Sequence, residues 1–332
     1  MKPIPEQIQT IRNLVNGYKV SRVLMAAEQI GVFAALSADT AELGGLGQAL
    51  GVPVGRLSVL LNALASAGVL RRNGSQYSLA EEFSTLNPHH AAAQNGYIRY
   101  ANAVSARWTK LEDAVRSSAI ASESFSEITG GSRETAHAFA DAMDANARPQ
   151  ASFIARRFQF GGRRILDVGA GAATYSIAIG SEYKDCTGVL LELPAMAPIT
   201  QQFVARSGLE ARFSVTPGDY RNGLPDGPFD DVFLYAVVHQ EREDEVRRML
   251  NWIHDVLRPG GRLFLSSFFL EESRIEPAFS VMFAIEMLVM VPNGNVYTHS
   301  EIQSLLQGAS LESIERIDDL PGPATLYVSA RP

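Results

Sequence analysis

With 332 residues, the chain is longer than one hydrophobic core usually supports, so two domains are the first expectation. Its 46% hydrophobic and 20% charged composition is that of a globular protein, and a net charge of −7 argues against a nucleic-acid surface, which needs clustered Lys and Arg. The one cysteine, Cys186, excludes an internal disulfide and fits a reducing, cytoplasmic setting.

The opening segment, MKPIPEQIQT, has no signal-peptide apolar region. The longest apolar stretch, Phe279 to Pro292, is interrupted by Glu286 and is too short to span a bilayer, so no membrane partner is expected. Neither an internal repeat nor a low-complexity tract is visible.

Residues 1–90 read as a first domain. Ile8 to Leu36 is apolar at helical spacing (Ile11, Leu14, Val15, Tyr18, Val23, Leu24, Ala27), with a break at Gly31. Thr40 is placed to cap a helix over Ala41–Leu50, closed by Gly51, and Pro53–Ala67 is the next helix. Val69–Arg72 and Gln76–Leu79 flank Asn73-Gly74, a strong hairpin signal. Helices followed by a hairpin predict a winged helix-turn-helix. Its would-be recognition helix, VGRLSVLLNALASAGVL, holds one basic residue, Arg56, where a groove reader needs several phosphate and base-edge donors. A DNA-binding regulator is therefore the weaker reading, and burial against another protein surface the stronger. Arg71 and Arg72 read as solvated charges.

Residues 91–158 read as a helical bridge containing Tyr97, Tyr100, Asn102, Trp108, Phe139, Met143 and Asn146, with a loop at Gly130-Gly131. Such a segment suits the wall of a substrate cavity, and plain core packing is the competing reading.

Residues 159–332 alternate strands and helices, which predicts an α/β, Rossmann-like doubly wound sheet with ligands at the carboxyl ends of its strands. Arg164–Val168 is an apolar strand and Gly169-Ala170-Gly171 a tight turn. Ala172–Gly180 then reads as a helix whose free N–H groups face a ligand. Asp167 stands just before the glycines, and Thr174 occupies the place of a third glycine. Gly188–Glu192 is a second strand whose terminal Glu192, followed by Leu193, lies where a carboxylate takes the hydroxyls of a ribose. The third strand, Ala211–Val215, leads to Gly218-Asp219-Tyr220, an acid for an adenine amino group and an aromatic to cover the ring. Adenosine without a second phosphate-linked half points to S-adenosylmethionine rather than NAD.

Asp230–Val238 reads as the fourth strand, and His239 leaves its carboxyl end on the same rim. An acid-rich turn then opens a helix to Leu257, and Arg262–Phe269 is the fifth strand. Ser300–Leu306 is a helix with Ser300 and Gln303 at capping-box spacing, and Leu311–Asp318 and Thr325–Ala330 are closing strands. A neutral imidazole at His239 suits a general base toward a hydroxyl. No His, Cys or carboxylate group has metal-ligand spacing, so a metal-independent site is expected.

The chain resembles the S-adenosylmethionine-dependent O-methyltransferases that carry an N-terminal winged-helix dimerisation domain. They include plant caffeic acid and flavonoid enzymes, hydroxyindole O-methyltransferase and bacterial natural-product enzymes. The resemblance runs from AAEQIGV through LDVGAGAA, GDY and VVHQ to FAIEMLVMVPNGNVYT, nearly the whole chain. It implies a homodimer, with Gly169, Glu192, Asp219 and Tyr220 on the cofactor and Tyr235 near its adenosine. By the same resemblance His239 is the base, and Met143, Phe283, Met287 and Met290 line the substrate cavity beside Asn146. The plant enzymes flank their histidine with glutamates where this chain has Ser267 and Val296, and Gln240 replaces an Asp or Asn. Glu286 stands where bacterial relatives commonly carry Asn; a carboxylate there orients His239, binds a polar substrate, or is a surface charge. The expected activity is methyl transfer to a hydroxyl of a small aromatic metabolite. Transfer to sulfur, nitrogen or carbon, and a non-methylating cofactor-binding relative, are the alternatives within the fold.

Overall fold

The computed structural model describes residues 4–36, 40–90, 93–116 and 133–332. The chain forms two compact units, 1–105 and 106–332, so the expected bridge over 91–158 falls partly in each. The loop expected at Gly130-Gly131 lies outside the described residues.

The first unit contains helices α1 (Ile4–Asn16), α2 (Tyr18–Ile30), α3 (Val32–Ala35), α4 (Leu43–Leu50) and α5 (Val54–Ser66), and strands β1 (Ala41–Glu42), β2 (Leu70–Asn73) and β3 (Gln76–Leu79). The strands form an antiparallel sheet in the order β1-β3-β2. Phe33, Leu57, Leu61, Leu64 and Tyr77 are fully buried in its core. Helix α1 buries none of its residues, and Ile4, Ile11, Leu14 and Val15 are each more than 60% exposed.

Several local expectations shift. The long amino-terminal helix breaks at Gly17 as well as Gly31. Helix α4 starts at Leu43 because Glu42, rather than Thr40, caps it, accepting the N–H groups of Gly44 and Gly45. The hairpin pairs Asn73 with Gln76, which makes Gly74-Ser75 the turn, with Gly74 at φ 61°. Arg71 and Arg72 are exposed, as read from the sequence. Arg71 faces Glu82 at 3.8 Å, and Arg72 donates to Asn62 Oδ1 and to the Gly74 carbonyl.

The second unit is built on a seven-stranded sheet: β4 (Arg164–Val168), β5 (Thr187–Glu192), β6 (Phe213–Pro217), β7 (Phe229–Tyr235), β8 (Leu257–Ser267), β9 (Glu312–Ile317) and β10 (Thr325–Ala330). Their order is β6-β5-β4-β7-β8-β10-β9, parallel except for β10, which runs against both neighbours. The strand order reverses between β4 and β7, which is where such sheets open a ligand crevice.

Alternation along the strands fills both faces. Leu166, Val168, Val232, Leu234, Leu263 and Leu265 pack with α11 (Glu243–Val256) and α13 (His299–Gly308). Ile165, Phe233, Phe264 and Leu326 pack on the other face with α8 (Arg133–Arg157) and α9 (Thr174–Glu182). At the amino ends of the strands, fully buried Asp231 accepts from both Arg163 and Arg262.

Strand limits differ from the sequence reading for identifiable reasons. Strand β7 stops at Tyr235 because Ala236 adopts φ 54°, and Val238–Gln240 forms a 3-10 turn instead of more strand. Strand β8 begins at Leu257, because Pro259-Gly260-Gly261 is absorbed as an irregularity where the pairing jumps from Phe229–Leu257 to Asp231–Arg262. Strand β6 lies two residues later than read, at Phe213–Pro217. Helix α13 is capped by Thr298 with Glu301 rather than by Ser300 with Gln303. Helix α9 starts at Thr174, because Ala173 is itself left-handed at φ 57° and completes the loop.

Candidate active site

The loop after β4 makes the first wall. Gly169 and Gly171 adopt φ 70° and 55°, conformations that a side chain would strain. A Cβ on Gly169 would meet Val237 at 3.0 Å, whereas one on Gly171 would meet nothing within 4 Å. The space in front of Gly171 is therefore open to a ligand, beside the amino end of α9 with its unpaired N–H groups. Glu192, at the end of β5, accepts the N–H of Gly171 at 2.6 Å and of Leu193 at 2.7 Å. It is buried, which raises its pKa, and the two N–H groups pull it back. Gly218 hydrogen-bonds to the Glu192 carbonyl and brings the β6 loop alongside. Asp219 begins that loop, half-buried, accepting the Arg221 N–H and facing the Arg221 guanidinium at 3.7 Å.

Three further predicted cofactor residues make contacts inside the protein. Asp167 faces inward on the α9 side, buried, and accepts from Ser176 Oγ at 2.6 Å; desolvation pushes its pKa up to about 7. It anchors the amino end of α9. Tyr220 packs into the core, its hydroxyl donating to Glu241 Oε1 at 2.6 Å, so its ring is no free cover over a base. Tyr235 stacks on Tyr175 with centroids 3.8 Å apart, inside the aromatic core with Phe233. Strand alternation explains the placement of Asp167 and Tyr235, which lie on the same sheet face.

His239 sits in the 3-10 turn that follows β7, buried, with Nδ1 3.1 Å from Ser267 Oγ at the end of β8. The Phe283 ring stands perpendicular to it at 4.7 Å, and Phe268 lies 6.3 Å away. Desolvation holds its pKa down at about 3, so the imidazole is neutral at physiological pH. The tautomer that donates Nδ1–H to Ser267 leaves the lone pair on Nε2. At Nδ1 the partner of the imidazole is Ser267.

The predicted substrate residues divide between two helices. Phe283, half-buried Glu286, and buried Met287 and Met290 lie on α12 (Ala278–Met290), where Phe279 and Phe268 extend the aromatic group around Phe283. Met143 and Asn146 lie on α8, half-buried and exposed, on either side of Asp144. Asp144 is buried, accepts from Thr174 Oγ1 at 2.8 Å and pairs with Arg148. Sequence reasoning missed Asp144, Tyr175, Ser176 and the Phe268–Phe279 pair, whose contacts are made with residues outside their own element. Among the described residues, no group of three or more His, Cys, Asp or Glu is placed to hold a metal, and no single helix is long and apolar enough to cross a membrane.

This strand order with its antiparallel β10, and the glycine loop after β4, give the fold of the S-adenosylmethionine-dependent methyltransferases. The chain belongs to the O-methyltransferase family: the O-methyltransferase domain matches residues 108–312 and the O-methyltransferase dimerisation domain residues 12–86. Its family takes the methyl group from S-adenosylmethionine, and the chain is an enzyme of that class. It is 26% identical to the mitomycin biosynthesis 6-O-methyltransferase of Streptomyces lavendulae, over 93% of this chain and 90% of that one. It is 25% identical to the 3-hydroxy-5-methyl-1-naphthoate 3-O-methyltransferase of Streptomyces sahachiroi, over 92% and 90%. The solved structure of PigF with SAH superposes with a TM-score of 0.89 at 23% identity, covering 97% of this chain and 99% of that one, a likeness of fold.

Proposed function

We propose that the chain methylates a hydroxyl of a small aromatic molecule, with His239 as the general base. The observation that carries the reading is the setting of His239: neutral, buried, held at Nδ1 by Ser267 and walled by Phe283 on the carboxyl rim of the sheet. S-adenosylmethionine supplies an already activated methyl when bound. The protein's own task is then alignment and removal of one proton. Glu192 takes the ribose hydroxyls and Asp219 the adenine amino group, with open space in front of Gly171 beside Glu192. Phe268, Phe279 and Phe283 offer ring faces to a flat acceptor, whose hydroxyl hydrogen is received by His239 Nε2. Relatives named for mitomycin and naphthoate methylation support an aromatic acceptor.

The exposed apolar residues of α1, within and beside the dimerisation-domain match, support a homodimer through the first unit. A cytoplasmic setting fits the single, buried Cys186. The test is to incubate the enzyme with S-adenosylmethionine and a panel of phenols, thiols and amines and to identify products by mass spectrometry. Methyl ethers of the phenols are expected. Products only from the thiols or amines overturn the hydroxyl reading.

A further inference from the structure

We infer that Glu241 is a positioning residue that holds the turn carrying His239 in register with the loop carrying Asp219. The inference rests on the roles of His239 and Asp219 proposed above. Glu241 is 1% exposed. Its Oε1 accepts from the Tyr220 hydroxyl at 2.6 Å and from Arg221 Nη2 at 2.5 Å. The Arg221 guanidinium also stands 3.7 Å from Asp219 Oδ1. One cation thus bridges the carboxylate assigned to the adenine and a carboxylate just beyond the base.

The same turn is held from a second direction. The Tyr297 hydroxyl donates to the Glu241 carbonyl at 2.7 Å, and the Asn295 N–H donates to the His239 carbonyl at 2.9 Å. His239 is therefore held at its ring by Ser267, at its carbonyl by Asn295, and through Glu241 by the adenosine loop.

The choice of an acid here needs a reason beyond packing. An apolar side chain of similar volume is often as stable as a buried ion pair, whereas a buried carboxylate stripped of its partner is strongly destabilising. Burial raises the Glu241 pKa, and Tyr220 and Arg221 oppose the rise. What the charge adds over packing is a fixed register: Tyr220 and Arg221 have to stand where their hydrogen bonds to Glu241 are made. An alignment error of about 1 Å at a reacting group is enough to lower turnover by about a hundredfold.

The experiment compares Glu241→Gln, Arg221→Ala and the double variant, with melting temperature as the control for folding. Arg221 is partly exposed, so its truncation keeps the test open if the buried substitution unfolds the chain. Calorimetric affinity for S-adenosylhomocysteine and the split between kcat and KM are the readouts. Each single variant is expected to bind S-adenosylhomocysteine several-fold more weakly and to lose about tenfold or more in kcat, with acceptor KM little changed. The double variant is expected to be no worse than the more impaired single, because both remove one interaction. Folded variants whose affinity and kcat stay within about twofold of wild type, or whose losses add, overturn the inference. His239→Ala is run alongside. Full turnover in that variant removes the base reading, and the S-adenosylhomocysteine affinity of Arg221→Ala then decides the connection to the Asp219 loop alone.

Discussion

His239 Nδ1 and Ser267 Oγ are 3.1 Å apart, both buried, one on the turn after β7 and the other at the end of the neighbouring β8. This contact joins two parallel strands at their carboxyl edge and fixes the rotation of the imidazole. Ser267→Ala is expected to lower kcat by about tenfold while leaving the acceptor KM and cofactor affinity near wild type, since the hydroxyl acts through the imidazole it bonds. Steady-state kinetics decide this. A variant with unchanged kcat removes Ser267 from the site.

His239→Ala is expected to keep cofactor affinity and to lose about two to four orders of magnitude in turnover. The deficit shrinks as pH rises toward the ~10 of a phenolic acceptor, because a phenolate formed in solution needs no base. Because burial keeps His239 neutral well below pH 6.5, the wild-type rate is expected to show no acid limb at the ordinary histidine value. A mutant-to-wild-type ratio that stays flat from about pH 6 to 10 would falsify the general-base role.

Glu192→Ala is expected to weaken S-adenosylmethionine binding by roughly 1–3 kcal/mol, the loss of charge-assisted hydrogen bonds in a buried place. Titration calorimetry reads the change. An unaltered dissociation constant in a folded variant sinks the ribose assignment.

Two buried groups make stability depend on pH with opposite signs. The His239 pKa falls from 6.5 to about 3 on folding, so the unfolded chain binds more protons in that window, and stability is lost as pH drops through it. The Asp167 pKa rises from 3.8 to about 7, so the folded chain holds a proton longer, and stability is lost as pH climbs through that range. Asp167→Asn removes the second dependence. Its melting temperature relative to wild type is expected to improve steadily between about pH 5 and 8, and a constant difference contradicts the shift.

Purified protein is expected to elute as a dimer at micromolar concentration. Replacing Ile11 and Leu14, both more than 60% exposed on α1, with Glu is expected to yield the monomer. An unchanged dimer in that variant, or a wild-type monomer, excludes α1 from the interface.

The β4–Gly169–Gly171 stretch was legible because its signals are local: an apolar run, then glycines that only a turn requires. The rim placement of Glu192, Asp219 and His239 was legible by address, since each ends or follows a strand of the same parallel set. What was hidden depends on tertiary partners. The hydrogen bonds from Ser176 to Asp167 and from Tyr220 to Glu241 carry no signal in the local sequence. The end of β7 was misplaced because a left-handed Ala236 carries no composition signal. The isolated exposure of α1 follows no rule of periodicity, since its pattern is that of any amphipathic helix.

Asp231, fully buried between Arg163 and Arg262, locks β4, β7 and β8 at the edge opposite His239 and Glu192. This ionic tie and the rim proposed for the acceptor thus lie at different ends of the same strands. On the acceptor reading proposed above, exchanges at Phe279 or Phe283, which stand outside the two core clusters of the sheet, change the acceptor end and leave Asp231 and its two arginines in place.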